Sequence, residues 1–232
     1  MTSSFPTSPV DGTHIFDDFQ ANAAVTDGLV GNLNWEMHTI ANASTPSWIA
    51  GPNGIMRVTT AATADGDGEA FTLHPDGLVL AGTNQVFRCR VRYPVEIASN
   101  NFRIGFSASV TATEPTVGIW INSDGGLLSF DVASTNGDKT KAVTGVPTLT
   151  SGTTMVVATW HDLELQMSGT NANGGPSDIK CFVDGYPAGE ITGALLGSAE
   201  TMEFSIVHWQ DSGGADAMAF DIDYYEAYLP RN

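Results

Sequence analysis

Basic residues are scarce in this chain: nine Lys and Arg face 26 Asp and Glu in 232 residues, a formal charge of −17. That balance argues against a nucleic-acid or anionic-membrane partner, since both are polyanions and few cations are present to displace their counterions. Cysteine is nearly absent, with two residues. Cys89 and Cys181 each lie inside an apolar alternating run and read as buried free thiols, with an extracellular disulfide as the alternative. No apolar run approaches the length of a membrane span. The start "MTSSFPTSPVDGT" has neither a basic opening nor an apolar core, so no secretory signal is expected and folding in a cytoplasm is. Helical periodicity, repeats of roughly 20–50 residues and an internal linker are missing as well, which points to one helix-free domain.

What the chain has in quantity is short alternating runs between turn signals, the pattern of an all-β sandwich or barrel. Examples are "QVFRCRVRYPV", "NFRIGFSASV", "TVGIWIN", "DLELQMS", "DIKCFVDG", "TMEFSIVHW" and "MAFDIDYYEAYL", joined by "ADGDG", "NSDGG", "STNGD" and "GTNANGG". Asn136-Gly137 and Asp184-Gly185 are the strongest signals for two-residue hairpin turns, which need positive φ at both positions. Residues 1–13, rich in Ser, Thr and Pro, predict an extended arm ahead of a single domain over 14–232. Phe5, Pro6, Pro9 and Val10 are the arm residues expected to dock on a neighbouring surface.

Several constellations bear on function. In "WHDLELQM" alternation puts Leu163, Leu165 and Met167 on one face and Asp162, Glu164 and Gln166 on the other. Two acids spaced so could flank a sugar bond, but a glycosidase needs one acid kept protonated and one ionised. A solvated strand face is the favoured reading. "VFRCRVRYP" sets Arg88, Arg90 and Arg92 on one face, with Arg103 expected to adjoin on the next strand. Their expected partners are acids across the sheet such as Asp162 or Glu164, the alternative being an acidic neighbour subunit. Asp65, Asp67 and Glu69 in "ADGDGEAF" are the one set suited to Ca²⁺, against a plain acidic turn. Trp120 with Asn122 and Asp124, and Trp209 with its neighbours, are candidates for a sugar-stacking platform, against core filling. The histidines lack metal-ligand spacing, and no nucleophile elbow or phosphate loop is present, so no catalytic residue is assigned.

The hairpin "W-H-D-L-E-L-Q-M … I-K-C-F-V-D-G" resembles the matching hairpin of concanavalin A-like lectin/glucanase jelly rolls, and "FDIDYYEAYLPRN" resembles their closing strand, paired with an opening one such as "HIFDDFQ". The resemblance implies a two-sheet antiparallel jelly-roll sandwich. The glucanases of that family carry Glu-x-Asp-x-x-Glu along one strand; here the order differs and the third carboxylate is missing, so enzymatic activity is not expected. More narrowly, "FDDF", Trp35, "RCRVRYP", "FVDG" and the terminal "DY…Y…RN" resemble lectin-like virion proteins of tailed bacteriophages. That likeness implies a non-enzymatic head decoration protein of the virion, bound to a capsid or other virion protein through its arm and assembled as a homo-oligomer, by analogy a trimer. The alternative is a carbohydrate-binding module for host-surface recognition, with glycans as partners. No cofactor is expected beyond the Ca²⁺ set named above.

Overall fold

The structure, a computed structural model of the chain, describes residues 12–19, 29–30, 33, 35–42, 46–49, 54–61, 66–78, 84–95, 97–197, 199–211 and 217–230. Its strands form two eight-stranded antiparallel sheets, without a helix among the described residues. The first sheet runs β14 (Tyr186–Thr192), β13 (Asp178–Val183), β12 (His161–Ser168), β7 (Gln85–Arg92), β16 (Ala219–Pro230), β5 (Ile55–Thr59) and β4 (Ser47–Ile49), with β1 (Gly12–Asp17) beside the end of β16. The second runs β11 (Lys139–Ala142), β10 (Leu127–Ala133), β9 (Gly118–Asp124), β8 (Asn100–Ser107), β15 (Met202–Gln210), β6 (Gly68–Leu78), β3 (Trp35–Ala41) and β2 (Leu29–Val30). The expected jelly-roll sandwich is therefore the fold, and the opening and closing strands do pair: Gly12 faces Pro230 and Asp17 faces Tyr225.

The core follows from the alternation. On β7, Phe87, Cys89 and Val91 point inward to full burial while the intervening arginines point out. Aromatic rings link the two sheets: Tyr225 packs edge-on to Trp35 at 4.8 Å and beside Phe87 at 4.9 Å, and its hydroxyl donates to Gly105 O at 2.9 Å. His208 lies on the same inward face, stacked on Phe220 and bonded through Nε2 to Asn100 Oδ1 at 2.7 Å. Burial pushes its pKa down to about 3, so it is a neutral core residue. The two cysteines are free and buried, as expected. They flank β12, with Cys89 opposite Leu163 and Cys181 opposite Leu165. One intervening strand puts them roughly 10 Å apart, too far for a bridge.

Two turn expectations fared differently. Asp184 and Gly185 have φ of 52° and 77° and join Val183 to Tyr186 in a two-residue hairpin, as predicted. At 136–137 only Gly137 has positive φ; β10 and β11 part after Val132 opposite Lys139, and Ser134 stitches the longer 133–138 loop by accepting from Asn136 N and Gly137 N. Another tight hairpin lies at Gly125-Gly126 (φ 52° and 84°), between Asp124 and Leu127. Arg103 also departs from expectation. The chain crosses from the first sheet to the second between β7 and β8, so Arg103 sits on the opposite side of the sandwich from Arg88, Arg90 and Arg92.

Candidate functional site

Three surfaces collect the chemically active side chains. The first is the outer face of the first sheet. Strand pairing sets Arg88 opposite Glu164 and Arg90 opposite Asp162, and β16 borders β7 on its other side. Arg88 Nε donates to Glu164 Oε2 at 2.7 Å, and Arg90 lies 3.7 Å from Asp162 and 3.5 Å from Asp223. The fully buried Asp221 carboxylate takes Arg57 through both oxygens, at 2.6 and 2.8 Å, and Arg92 at 2.7 Å. A β-bulge between Ile222 and Tyr224 turns both Asp223 and Tyr224 outward, and the Tyr224 hydroxyl reaches Asp162 at 3.2 Å. Trp160 caps the ladder, with the Arg92 guanidinium 4.4 Å from its ring centroid. The expected partnership of the arginine stripe with acids across the sheet is thus present. A shallow hollow of about 200 Å³ between Arg88, Asp162, Glu164 and Tyr224 is the space those acids enclose.

A knot at the end of that sheet explains the "WHD … VDG" pairing. Asp162 N donates to Asp184 Oδ1 at 2.8 Å, and Asp184 N donates to Asp162 O at 2.7 Å. Val156 N donates to His161 Nε2, which places the ring proton on Nδ1, donated to Asp184 Oδ2 at 2.8 Å. Burial alone would raise the Asp184 carboxyl. The bonds from His161, Thr148 and the Asp162 N–H outweigh it and hold the group below the ordinary carboxylate range. Both imidazole nitrogens are occupied, so this histidine and aspartate fasten a turn to a strand.

The second surface is the outer face of the second sheet, where the candidate sugar platform falls. Trp120 and Trp209 are there, but they are 1% and 8% exposed and flank Arg103, whose Cζ lies 5.4 and 5.1 Å from their ring centroids. Gly118 leaves the bed for the Trp120 ring, since a Cβ there would meet it at 2.8 Å. The 108–117 connection covers this face: Val110 and Ala112 pack on Ala70, Val207 and Trp209, and Arg103 Nη1 donates to Thr111 O and Thr113 O at 3.2 Å each. Burial lowers the Arg103 pKa to about 10, against the pull of Glu114 and Asp131. The two indoles therefore hold an arginine and offer no open stacking face, which corrects the platform reading. Asn122 is half-buried opposite Arg103, and Asp124 is exposed at the rim.

The remaining candidates disperse. Phe5, Pro6, Pro9, Val10 and Asp65 lie outside the described residues. Asp67 and Glu69 are fully buried, with Asp67 accepting from Asn42 Nδ2 at 2.6 Å and Glu69 from Thr39 Oγ1 at 3.4 Å. Among the described residues no three His, Cys, Asp or Glu side chains gather in a metal-ligand group.

The third surface escaped the sequence reading. An open groove of about 640 Å³ lies where the edge strands of the two sheets meet, between β11 and the β13–β14 hairpin. Lys141, Thr144, Lys180, Phe182, Pro187 and Glu190 line it.

No family model matches the chain, and no curated protein sequence matches it. Solved structures share its architecture. A protein of unknown function from Shewanella oneidensis superposes with a TM-score of 0.56 at 12% identity, over 99% of this chain and 91% of that one. The binding domain of botulinum neurotoxin serotype D gives 0.58 at 12% identity, over 95% of this chain and 49% of the other, so the chain spans about half of that domain. An alginate lyase from a Chlorella virus gives 0.53 at 12% identity, over 84% and 93%. At such identities the likeness shows the fold alone, an all-β sandwich.

Proposed function

We propose that the chain is a non-enzymatic attachment domain: a virion protein of a tailed phage, serving as a head decoration subunit held to the shell through its N-terminal arm. The observation that carries this reading is how firmly the residues next to the arm are fastened. β1 pairs with β16 along its whole length, from Gly12 to Asp17. The buried Asp17 carboxylate then accepts from Phe19 N at 2.8 Å, Leu33 N at 3.0 Å and Trp35 Nε1 at 3.1 Å. A load on the arm is passed to a ladder pulled in shear and to a core tryptophan. The ion-paired acids of β12 and β16 support the non-enzymatic half of the proposal, since Asp162, Glu164, Asp221 and Asp223 each lie against an arginine. A homo-oligomer, a trimer by analogy, would repeat the arm contact and multiply a weak affinity.

Removing residues 1–11 leaves β1 in place and tests the arm directly. Co-sedimentation with shells of the encoding phage should fall to background while the melting temperature stays unchanged; retention equal to that of the full chain would overturn the reading.

A second reading, a carbohydrate-binding module for host-surface recognition, is favoured by the open groove at the sheet edges, and by the likeness in fold to a toxin's binding domain and an alginate lyase. A glycan array probed with the full chain tests it, and silence across the array would remove it.

A further inference from the structure

We infer that the groove between β11 and the β13–β14 hairpin binds a saccharide bearing a carboxylate; the inference rests on the carbohydrate-binding reading. The first observation concerns where the chain keeps its spare positive charge. Of nine basic residues, Arg57, Arg88, Arg90 and Arg92 are paired with acids. Arg103 is held between two indoles, and Lys139 Nζ donates to Thr192 O at 2.6 Å. Arg231 lies outside the described residues. Lys141 and Lys180 remain, both exposed, and neither makes an ion pair or side-chain hydrogen bond among the described residues. They come from different sheets and line the same groove. In a chain of net charge −17, two uncommitted cations on one concave surface are the local exception.

The groove's shape has its own cause. β13 and β14 shift register between Cys181 and Phe182. Gly189 lets β11 cross close above, because a Cβ there would come within 2.8 Å of the Phe130 ring and 3.2 Å of Lys141 Cγ. The volume of about 640 Å³ falls within the range of ligand sites. The half-buried Phe182 ring and Pro187 supply apolar surface for the C–H face of a sugar ring, and Thr144 and Glu190 supply partners for hydroxyls. The two ammonium groups are left for an anion. With Glu190 on the same wall the groove carries a net charge near +1, which suits a single carboxylate set among hydroxyls better than a polyanion, which the acidic body repels.

The test titrates the full chain with sialyllactose and a glucuronic acid-capped xylotriose, each carrying one carboxylate, and with cellohexaose as the neutral control. Carboxylated probes should bind and weaken with added salt. In the Lys141→Gln/Lys180→Gln variant their affinity should drop about tenfold, with an unchanged melting temperature because both side chains are exposed. Equal affinity in the double variant, or binding of cellohexaose alone, would overturn the inference and leave the carbohydrate-binding reading standing. Silence toward every glycan would overturn both and leave the attachment role untouched.

Discussion

β7 and β8 follow one another in the chain, and both place arginine on an outward position, yet they solve the placement of a cation in opposite ways. On β7 burial alternates strictly and the guanidinium groups face carboxylates on the neighbouring strands. On β8 every residue is buried, because the 108–117 connection folds back over its outer face. Arg103 meets two ring faces and two backbone carbonyls there in place of a carboxylate at salt-bridge distance. Strand pattern alone therefore does not determine a cation's surroundings; what crosses above the sheet does. The open face is balanced charge by charge, and the covered face is held by packing around one desolvated charge.

Breaking the covered face should have the largest effect. Arg103→Ala empties the space between Trp120 and Trp209 and leaves two carbonyls unpaired, so urea unfolding should show a loss of about 3 kcal/mol, with faster proteolysis inside 108–117. Arg103→Met, which refills the space, should lose less than half of that. On the open face the most vulnerable point is Asp221, which serves both Arg57 and Arg92; Asp221→Asn should cost about 2 kcal/mol.

Two aspartates sharpen the contrast through their signs. Asp131, on the covered face, has its pKa raised by burial against the bonds from Thr140 and Ser129 and the pull of Arg103. Its folded pKa exceeds the unfolded one, so the ionised group costs stability at neutral pH, and the cost vanishes as pH falls through the folded value. Asp184 is depressed, so its contribution is complete above the ordinary carboxylate range and is lost as pH falls toward the folded value. At pH 7, Asp131→Asn should leave stability unchanged or raise it by about 0.5 kcal/mol, and Asp184→Asn should lower it by about 1 kcal/mol. Equal signs in the two denaturation curves would erase the distinction between the faces. Arg88→Ala should lose only about 0.5 kcal/mol, shrinking in high salt, because its pair with Glu164 borders water.

Much of the first sheet could be read directly from residues. Alternation in "RCRVR" and "DLELQM" separated the arginines and acids from Cys89, Leu163 and Leu165, and Asp184-Gly185 announced its own hairpin. The closing strand was legible for the same reason, whereas its pairing with an opening strand was what the resemblance to jelly-roll sandwiches implied. Trp120 and Trp209 were not, because period-two patterning says which way an indole points and nothing about a loop that later covers it. Arg103 was misplaced because Pro94 and Ser99-Asn100 mark a break in the chain without saying that the next strand joins the other sheet. The groove was invisible because its walls come from "KTKA" and "YPAGE", segments far apart in the chain that meet only when the sheet edges close.

The proposal at stake is that the acids of the first sheet hold arginines and cut no chain. An end-group and unsaturated-product assay of the purified protein on β-glucans and alginate tests it most directly. The account predicts a flat trace for the native chain and for Asp162→Asn and Glu164→Gln alike. Product that accumulates with the native chain and disappears in either variant would contradict it.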